Sequence, residues 1–407
     1  MEYKNDILST SLLKLHGDFK SQVNYLLQNV RLSRNDVENL TWLFSDLEQS
    51  LQRVWPGCIV MPFGSIVTGL GIQTSDADCY VSIPDHLKIA GEKYVMQAKH
   101  ALMRFSVNFK ELFAITNAKV PIVKCFHVPT ESHCDISFKS ISGVRNSKLI
   151  ACLLQSNPNA LNLAVLIKYW SKVHGITGTN LLPNYALTMM VIFYLQQINV
   201  LPSVIQLQRN TEAIMVDDWN TSFNEDFNFK SMNNLSLYKL LGGFFEYYST
   251  FNFKENIVSP YLGRPLSAEL FKDVKMVPNQ FALYKKNVIS KVYKPLNVNG
   301  IMCIQDPFDH SRNVSGAVYL RLAVNFFLHL KYATEMYKGC TENDFLEGLL
   351  SKSLAPITLQ STNKKKSKVH KTGQGKIKKQ TKRNSYNHSS FQSLFIEINK
   401  LMKNNTK

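Results

Sequence analysis

The chain has 407 residues, of which 45% are hydrophobic and 11% aromatic, so it can bury the cores of two ordinary domains. No apolar run reaches the roughly 18 residues that a membrane-spanning helix needs. The acidic residues Glu2 and Asp6 argue against a signal peptide and a mitochondrial presequence. We therefore expect a protein of the nucleus, the cytoplasm or both, which is not secreted and has no membrane partner.

The positive charge of the chain is concentrated at one end. Of the net charge of +17, residues 351–407 contribute +13, because they hold 14 lysines and arginines against the single acid Glu397. Such a segment suits a polyanionic partner, nucleic acid before an acidic membrane surface. A tail that only improves solubility is the alternative.

The cysteines argue against two kinds of cross-linked fold. They are odd in number, scattered and without a Cys-x-x-Cys pair, so the sequence predicts neither a disulfide framework nor a zinc site. A reducing compartment is the simplest interpretation. The seven positions are Cys58, Cys79, Cys125, Cys134, Cys152, Cys303 and Cys340.

Apolar periodicity predicts the elements in chain order. Two helices should occupy residues 4–50, where apolar residues recur at spacings of three and four and Ser33 and Asp36 can cap the second helix. Short apolar runs predict strands in CIVMPF, CYVSIP, VPIVKCFHV and CDISF, with a helix around residues 92–105 among them. Further helices are expected at residues 159–175, 184–198, 237–253 and 314–336.

The stretch FGSIVTGLGIQTSDADCYVSIP, residues 63–84, places two acids at the edge of an apolar strand. Because side chains alternate along a strand, Asp76 and Asp78 should point to one side and Ala77 to the other. Adjacent carboxylates repel each other unless a cation lies between them, and Mg²⁺ takes oxygen ligands while leaving positions for substrate phosphates. A surface turn is the alternative, because Ser-Asp-Ala-Asp is also ordinary loop sequence.

Two further features favour the metal site. Gly64 and Ser65 follow an apolar run, and backbone N–H groups with the Ser65 hydroxyl could hold a triphosphate there. Downstream, Asp135 lies on the second of two strands that we expect to pair. A third carboxylate can complete a two-metal site and can accept a proton from an attacking hydroxyl.

Gly-Ser, a ten-residue spacer, Asp-x-Asp and a later Asp on a strand resemble the DNA polymerase β-like nucleotidyltransferases. More narrowly, the chain resembles the terminal uridylyltransferase and poly(A) RNA polymerase family, nearest the speckle-type terminal uridylyltransferases, over most of residues 1–336. The resemblance implies an α+β fold, in which a nucleotidyltransferase palm of mixed β-sheet and helices faces a mainly helical PAP-associated domain across a cleft that holds the NTP.

The resemblance also divides the chain. It implies N-terminal helices that pack with the helical domain, then the catalytic palm, then the central helical and PAP-associated domain. A disordered basic tail and a short C-terminal helix or disordered end should follow. The segments are residues 1–40, 41–145, 146–350, 351–390 and 391–407.

Further motifs carry nucleotide-binding roles by resemblance. In GVRNS, Asn146 matches the residue that contacts sugar and base, and in IKYWSKVHGI, Lys168 and Lys172 match the triphosphate-binding lysines. Their i,i+4 spacing is unfavourable by roughly 0.2–0.5 kcal/mol unless an anion lies between them. In LPNYALT, Tyr185 matches the residue that stacks on the base, and Asn184 stands where some members have Ser. The segments LLGGFFEYYSTFNF and IQDPFDHSRNV resemble the PAP-associated region and the nucleotide-recognition loop.

Selection of the nucleotide centres on Arg312. Uridylyl-specific members carry His at this position, whereas here His310 lies two residues earlier. Arg is only a donor, so it could bond O4 of uracil and would be opposed by the exocyclic amine of adenine or cytosine, although N7 and N1 of adenine are acceptors too. We therefore expect UTP, with ATP as the close alternative. If Arg312 instead contacts RNA phosphate, the base is left unread and specificity widens.

The reaction implied by the resemblance is transfer of a nucleoside monophosphate from an NTP to an RNA 3′-hydroxyl, without a template and with release of pyrophosphate. Asp76 and Asp78 would hold two Mg²⁺ or Mn²⁺ ions. Asp135 would ligate the ion nearer the RNA end and help to deprotonate its hydroxyl, while Ser65 and the two lysines fix the triphosphate.

The basic tail is the candidate for RNA affinity, since neither a zinc-finger spacing nor an RRM signature is present. A lysine-rich arm binds phosphates without reading sequence, and the same run could be a nuclear localisation signal. Two rivals to the RNA enzyme are an inactive RNA-binding scaffold, which the complete set of acids and lysines disfavours, and an enzyme that modifies a small nucleotide or an antibiotic, which the PAP-associated segments disfavour. The tentative RNA-binding residues are Lys364, Lys365, Lys366, Lys378 and Lys379.

Overall fold

The computed structural model describes residues 10, 13, 15–89, 93–118, 120–227, 229 and 235–351. The predictions for the basic tail, its five candidate lysines at positions 364–379 and the C-terminal segment 391–407 therefore lie outside the described residues.

Two helices open the described chain, and they join different cores. In α1 (Phe19–Val30) the buried side chains belong to the helical core, whereas in α2 (Arg34–Gln52) the leucines Leu43, Leu47 and Leu51 pack beneath the sheet. The prediction that Ser33 and Asp36 cap α2 is confirmed by a reciprocal capping box.

The expectation that both N-terminal helices pack with the helical domain is therefore wrong for α2. Its apolar stripe continues from Leu40 to Leu51, and the four leucines on it are buried in the core of the sheet. The proposed boundary after residue 40 falls inside α2, and the one after residue 145 falls inside a second continuous helix. The division into segments stays a proposal.

The first core is built on a mixed five-stranded sheet. The strand order is β1-β2-β5-β4-β3, in which β2 and β5 are parallel and the other neighbours antiparallel. The helices α2 and α4 (Tyr94–Met103) contribute leucine, valine and alanine side chains to the core on one face of this sheet. The strands are β1 (Ile59–Phe63), β2 (Ala77–Ser82), β3 (Phe109–Ile115), β4 (Ile122–His127) and β5 (Ser132–Ser137).

Alternation along β2 separates the core from the reactive face, as predicted. Ala77 and Cys79 are buried at 1% and 0% exposure in the core, and Asp78 lies between them on the opposite face. The predicted pairing of β4 with β5 is confirmed as an antiparallel ladder.

Two elements were not predicted. β3 contains a bulge between Lys110 and Phe113, and Glu111 has a positive φ of 50°, so its apolar alternation is interrupted. The helix α5 (Ser142–Gln155) begins one residue before the GVRNS motif, and its buried leucines and Ile150 belong to the helical core.

The second core is helical. α7 (Asn184–Gln197) is apolar around its whole circumference and buried along most of its length, which is the pattern of a central helix. The remaining elements are one-turn α3 (Ser65–Thr68), α6 (Pro158–Val173), α8 (Val204–Leu207), the hairpin β6 (Met215–Val216) and β7 (Trp219–Asn220), α9 (Leu237–Thr250), β8 (Asn256–Val258), β9 (Leu266–Ser267), α10 (Ala282–Ile289), β10 (Cys303–Ile304), α11 (Leu320–Gly339) and α12 (Glu342–Ser351).

The helix predicted to start at Val314 begins at Leu320 instead. The backbone N–H of Val314 donates to the Ile304 carbonyl at 2.8 Å, and the Ser315 hydroxyl donates to the Met302 carbonyl at 3.1 Å. These bonds tie the segment to β10, so it is committed to a turn before the helix can start.

Among the described residues, no single helix has the length and apolarity to cross a bilayer. The helices α5 and α6 have them only when taken together, and this pair is bent by 118° at its break.

Close packing of α9 against α11 generates a stability prediction. A Cβ placed on Gly242 would lie 2.1 Å from two ring carbons of Tyr337. We expect Gly242→Ala to lower the free energy of unfolding by about 1–3 kcal/mol, because the ring must shift in a packed core.

Chemical denaturation of the full chain measures this change. Gly339→Ala is the matched control, since a Cβ there meets nothing within 4 Å in the same helical layer. A loss in the control as large as that of Gly242→Ala would contradict the packing argument.

Candidate active site

A cleft of about 970 Å³ opens between the reactive face of the sheet and the helical core. The structure brings together nearly all of the predicted site residues along its walls. Asp135, on β5, is adjacent to the cleft but does not line it. The lining residues that the sequence predicted are Gly64, Ser65, Asp76, Asp78, Asn146, Lys168, Lys172, Asn184, Tyr185 and Arg312.

The three acids are positioned by neighbouring parallel strands. Asp78 on β2 is directly opposite Asp135 on β5, and Asp76 precedes β2 by one residue. Sequence reasoning missed the partner of Asp135, which is Lys124 on the next strand. Its Nζ lies 2.7 Å from each carboxylate oxygen of Asp135. The strand VPIVKCFHV held the signal, because alternation places its lysine on the reactive face.

The electrostatics of the acids oppose full ionisation. Burial, followed by the charges of Asp135 and Asp76, raises the pKa of Asp78 to about 7, although Lys124 and Lys168 partly offset this. Burial also raises the pKa of Asp135, and here desolvation outweighs the direct ion pair with Lys124. A cation that enters this site therefore stabilises carboxylates that the protein alone keeps partly protonated.

The acids have the chemistry of a magnesium or manganese site. Carboxylate oxygens are the hard ligands that these ions prefer, and mutual repulsion between Asp76 and Asp78 is relieved by a cation. Over the described part of the chain, however, no three His, Cys, Asp or Glu side chains converge as a ligand set. Asp135 would have to release Lys124 before it could act as the third ligand.

Gly64 is required by the close approach of Asp78. A Cβ on Gly64 would lie 2.3 Å from Oδ2 of Asp78, and its φ of +77° disfavours other residues. Its N–H donates to the Ser147 hydroxyl at 2.8 Å. This donor is therefore engaged by α5, and the expectation that it holds phosphate stays a prediction. Ser65 opens the single turn α3 and lines the cleft.

The two predicted phosphate lysines differ in environment. Lys168 is buried, and its Nζ donates to the Leu70 carbonyl at 2.8 Å and the Ser75 hydroxyl at 3.1 Å. Burial, followed by the charge of Lys172, lowers the pKa of Lys168 to about 7. Lys168 thus braces the turn that leads into the acids, whereas Lys172 is only partly buried and lines the cleft.

The end of the cleft that contains Tyr185 and Arg312 is organised by a buried acid, Asp306, to which no role was assigned from the sequence. Asp306 is 1% exposed and accepts the Tyr185 hydroxyl at 3.2 Å, while Nη1 of Arg312 lies 3.6 Å from the same oxygen. The guanidinium also lies 5.9 Å from the centroid of the Tyr185 ring. A backbone hydrogen bond closes the loop between these residues, because the Asp306 N–H donates to the Arg312 carbonyl at 3.0 Å.

Two amide oxygens are available to a ligand. The side-chain oxygens of Asn146 and Asn184 are buried without a hydrogen-bond partner, and both residues line the cleft. An unpaired buried acceptor costs free energy, so sugar hydroxyls that donate to these oxygens would be favoured.

His310 does not replace the missing histidine at position 312. Its ring is buried 4.0 Å from the centroid of Tyr261 and 5.0 Å from that of Phe281. Burial lowers the pKa of His310 to about 3, so it remains neutral. It packs in the core rather than facing the nucleotide.

An acidic hairpin was also missed. Asp217 and Asp218 form the turn between β6 and β7, both with positive φ, and both line the cleft. The Tyr293 hydroxyl donates to the Asp217 carbonyl, and the Ser140 hydroxyl donates to the Asp217 carboxylate. The hairpin therefore connects the end of the sheet to the helical core.

Two family models match the chain. The one described as the central palm domain of "Poly(A) RNA polymerase, mitochondrial-like" matches residues 19–155, and the one described as "Cid1 family poly A polymerase" matches residues 236–312. These ranges include the three acids and the loop from Asp306 to Arg312.

Curated relatives are similar at low identity. The chain is 26% identical to the "Speckle targeted PIP5K1A-regulated poly(A) polymerase" of Danio rerio, over 79% of this chain and 46% of the relative. It is 27% identical to the "Poly(A) RNA polymerase cid11" of Schizosaccharomyces pombe, over 62% and 48%. The "Terminal uridylyltransferase 7" of Homo sapiens is 26% identical, over 70% and 18%. The chain spans about half the length of the first two relatives and less of the third.

Solved structures share the fold. "Crystal structure of mtPAP in complex with UTP" matches with a TM-score of 0.69 at 21% identity, over 82% of this chain and 72% of that one. "Structure of Cid1 in complex with its short product ApU" matches at 0.66 and 20% identity, over 82% and 98%. The predicted α+β architecture of palm and PAP-associated domain is thereby confirmed.

The raised pKa of Asp78 predicts a pH-dependent stability. Because the folded state favours the neutral acid up to about pH 7 and the unfolded state only up to about 4, the metal-free protein should lose stability as pH rises between these values. Asp78→Asn cannot ionise, so it should be more stable than the wild type at about pH 8, by at most about 4 kcal/mol, and the difference should vanish near pH 4.

Denaturation in the presence of a chelator measures this difference. Added Mg²⁺ provides the internal control, since it should stabilise the wild type and not Asp78→Asn. Parallel pH profiles for the two proteins would show that Asp78 is not the responsible group.

Proposed function

The chain belongs to the family of poly(A) RNA polymerases and terminal uridylyltransferases, and we propose on this basis that it adds nucleotides to RNA 3′-hydroxyl ends without a template. The observation that carries the proposal is one cleft in which Asp76 and Asp78, at the start of β2, face lysines and a tyrosine from two helices. Asp135 on the adjacent strand β5 is directly opposite Asp78. In the proposed function, the acids would hold a metal, the lysines a triphosphate and the tyrosine a base.

In the proposed reaction the RNA 3′-oxygen forms a bond to the α-phosphorus of the NTP. The bond from that phosphorus to the bridging oxygen breaks, pyrophosphate leaves, and the hydroxyl proton passes to a base. Divalent cations held by Asp76 and Asp78 would supply neutralisation of phosphate charge and activation of the hydroxyl. Asp135 would accept the proton once it has released Lys124, and its raised pKa brings it nearer to the ideal of a general base.

The residues of this chain bind and orient the NTP. Ser65 and Lys172 line the cleft beside the acids, where a hydroxyl and an ammonium group suit phosphate oxygens. Lys168 positions the turn before Asp76 and has used two of its three donors in doing so. The Tyr185 ring offers a stacking surface that tolerates any base.

For the nucleotide we propose UTP, with ATP as the alternative. Arg312 presents donors only, which pair with O4 of uracil and oppose the adenine amine. The alternative is supported by the contact of Arg312 with Asp306, which directs part of the guanidinium away from the base. Relatives named poly(A) polymerases and a relative named terminal uridylyltransferase are both similar to the chain.

We further propose that the lysine-rich tail binds RNA phosphates and that the protein resides in the nucleus, the cytoplasm or both. The charge of residues 351–407 supports both statements, because a basic run serves as an RNA-binding arm and as an import signal.

An extension assay on labelled RNA tests the proposed reaction. Each of the four NTPs is supplied separately, with Mg²⁺ or Mn²⁺, and UTP should give the longest products. Asp78→Asn and Asp135→Asn should each lower the rate by at least about 100-fold while the protein remains folded, because each removes a carboxylate from the reacting centre. Undiminished extension by either variant would overturn the assignment, and no extension by the wild type with any NTP would favour the scaffold.

Arg312→Met provides the specificity arm of the same assay. Asp306 retains hydrogen bonds from the Phe308 and Asp309 N–H groups, so the loop should persist. We expect the preference for UTP over ATP to shrink while turnover continues. An unchanged preference would show that Arg312 does not read the base.

The tail predicts a salt dependence that can be measured separately. Replacing Lys364, Lys365, Lys366, Lys378 and Lys379 by Gln should weaken RNA binding at low salt and reduce the slope of log K against log salt by up to about 3.5, at about 0.7 per single-strand phosphate contact. Fluorescence anisotropy across a salt series checks this, and identical slopes would remove the tail from the RNA interface.

A further inference from the structure

The reactive face of the sheet is covered at one end and exposed at the other. At the β1 end, the Phe63 ring packs against Gly143 of α5, where a Cβ would come within 3.1 Å of the ring. At the β3 end, Phe113 is 47% exposed, Ile115 39% and Val120 47%. Large apolar side chains thus remain accessible beside the acids.

A single row of side chains connects the acids to this exposed end. Strand register places Phe63 opposite Asp78, Asp78 opposite Asp135, Asp135 opposite Lys124, and Lys124 opposite Phe113. Residues directly opposite one another on neighbouring strands share a face. Phe113 is therefore two strand spacings, about 10 Å, from Asp135.

The neighbouring row adds aromatic and basic groups. Phe126 on β4 is opposite His133 on β5, with ring centroids 5.0 Å apart, and Lys110 is opposite Phe126 on the other side. Acids also occur here: Asp135, which is paired with Lys124, Glu111 in the bulge, and Glu131 in the turn before β5.

We propose that the β3 face, formed by Phe113, Ile115, Lys124, Phe126 and His133, binds the single-stranded RNA nucleotides that immediately precede the 3′ end. The inference rests on the proposed function, since it takes the reacting 3′-hydroxyl to lie at Asp135. It deepens that function by assigning the path of the RNA outside the cleft.

The path follows from what occupies the cleft. Tyr185 and Arg312 hold the base end of the NTP on the helical side, so the RNA must leave on the side of Asp135. Val120, which precedes β4, lines the cleft and is exposed, so the cleft is continuous with the β3 face.

The chemistry of the surface suits single-stranded RNA. Aromatic side chains stack on bases of any sequence, and interspersed lysines track the phosphates. Such binding tolerates any sequence. An enzyme that extends the product of its own previous turnover requires this tolerance.

Extension kinetics with two primers test the proposal on the full chain. One primer is a dinucleotide and the other an RNA of about 15 nucleotides, within the range of single-strand binding sites. For Phe113→Ala, the ratio of the KM for the long RNA to that for the dinucleotide should rise at least about fivefold, because a stacking contact is lost. Phe113→Trp should restore the wild-type ratio.

Two further variants control for a folding defect and for the loss of an exposed aromatic side chain elsewhere. Phe113→Thr retains the strand preference of the position, so agreement between the Ala and Thr variants would exclude a folding defect. Trp42→Ala is the matched control, because Trp42 is 64% exposed on α2, on the other side of the sheet. Its ratio should equal that of the wild type.

RNA binding without NTP separates this proposal from the proposed function. If the wild type extends RNA but Phe113→Ala has an unchanged ratio, the β3 face is overturned and the function stands. If the wild type extends nothing, the proposed function fails and anisotropy with the long RNA decides: weaker binding by Phe113→Ala supports the surface, and equal binding overturns it. A change in molar mass of Phe113→Ala in light scattering, with unchanged RNA affinity, would assign the face to a second copy and overturn the proposal.

Discussion

Repulsion among three carboxylates on one face of a sheet is the constraint on which the rest of the site depends. The backbone of β2 and β5 sets the separation of Asp78 from Asp135, so the charges cannot move apart without breaking the ladder. Burial is the largest cause of the raised pKa of both groups, and the charges of the neighbouring acids add to it. The stability that the fold loses there is the driving force for binding cations, because the same repulsion that disfavours ionisation disappears when metal charge is present.

The lysines around the acids follow from this constraint. Lys124 from β4 offsets the charge of Asp135 directly. Lys168 from α6, which holds the turn at Leu70 and Ser75, partly offsets the rise in the pKa of Asp78. Each of them stabilises the site in the absence of substrate. A reaction at this site must rearrange the contact between Lys124 and Asp135. A carboxylate that is bonded to an ammonium group through both oxygens has little remaining capacity for a metal or a proton.

At the opposite end of the cleft, a buried acid performs the organising role. Asp306 accepts hydrogen bonds from two backbone N–H groups and from Tyr185, and it draws Arg312 toward the same oxygen. The Tyr185 ring and the Arg312 guanidinium are therefore oriented by one group. A change at Arg312 alters the charge balance of Asp306 as well as the proposed contact with the base.

Local sequence patterns were sufficient to predict many of the structural elements of this molecule. Alternation along β2 correctly separated Ala77 from Asp78, and the box of Ser33 and Asp36 correctly marked the start of α2, because both depend on residues a few positions apart. The family motifs likewise located the residues that line the cleft. Apolar periodicity did not predict β3, because the bulge at Glu111 interrupts the alternation of its side chains. It also placed the start of α11 too early, because contacts with β10 hold the residues before the helix in a turn.

The sequence by itself determined which side chains could serve the chemistry: the Gly-Ser pair, the acids, the lysines and the recognition loop. Only the tertiary structure decided which of them meet. The order β1-β2-β5-β4-β3 brings Lys124 against Asp135 and aligns Phe113 with both, while core packing turns His310 away from the nucleotide and places α2 under the sheet. These outcomes depend on strand order, register and burial, which join residues far apart in the chain and leave no mark in local periodicity.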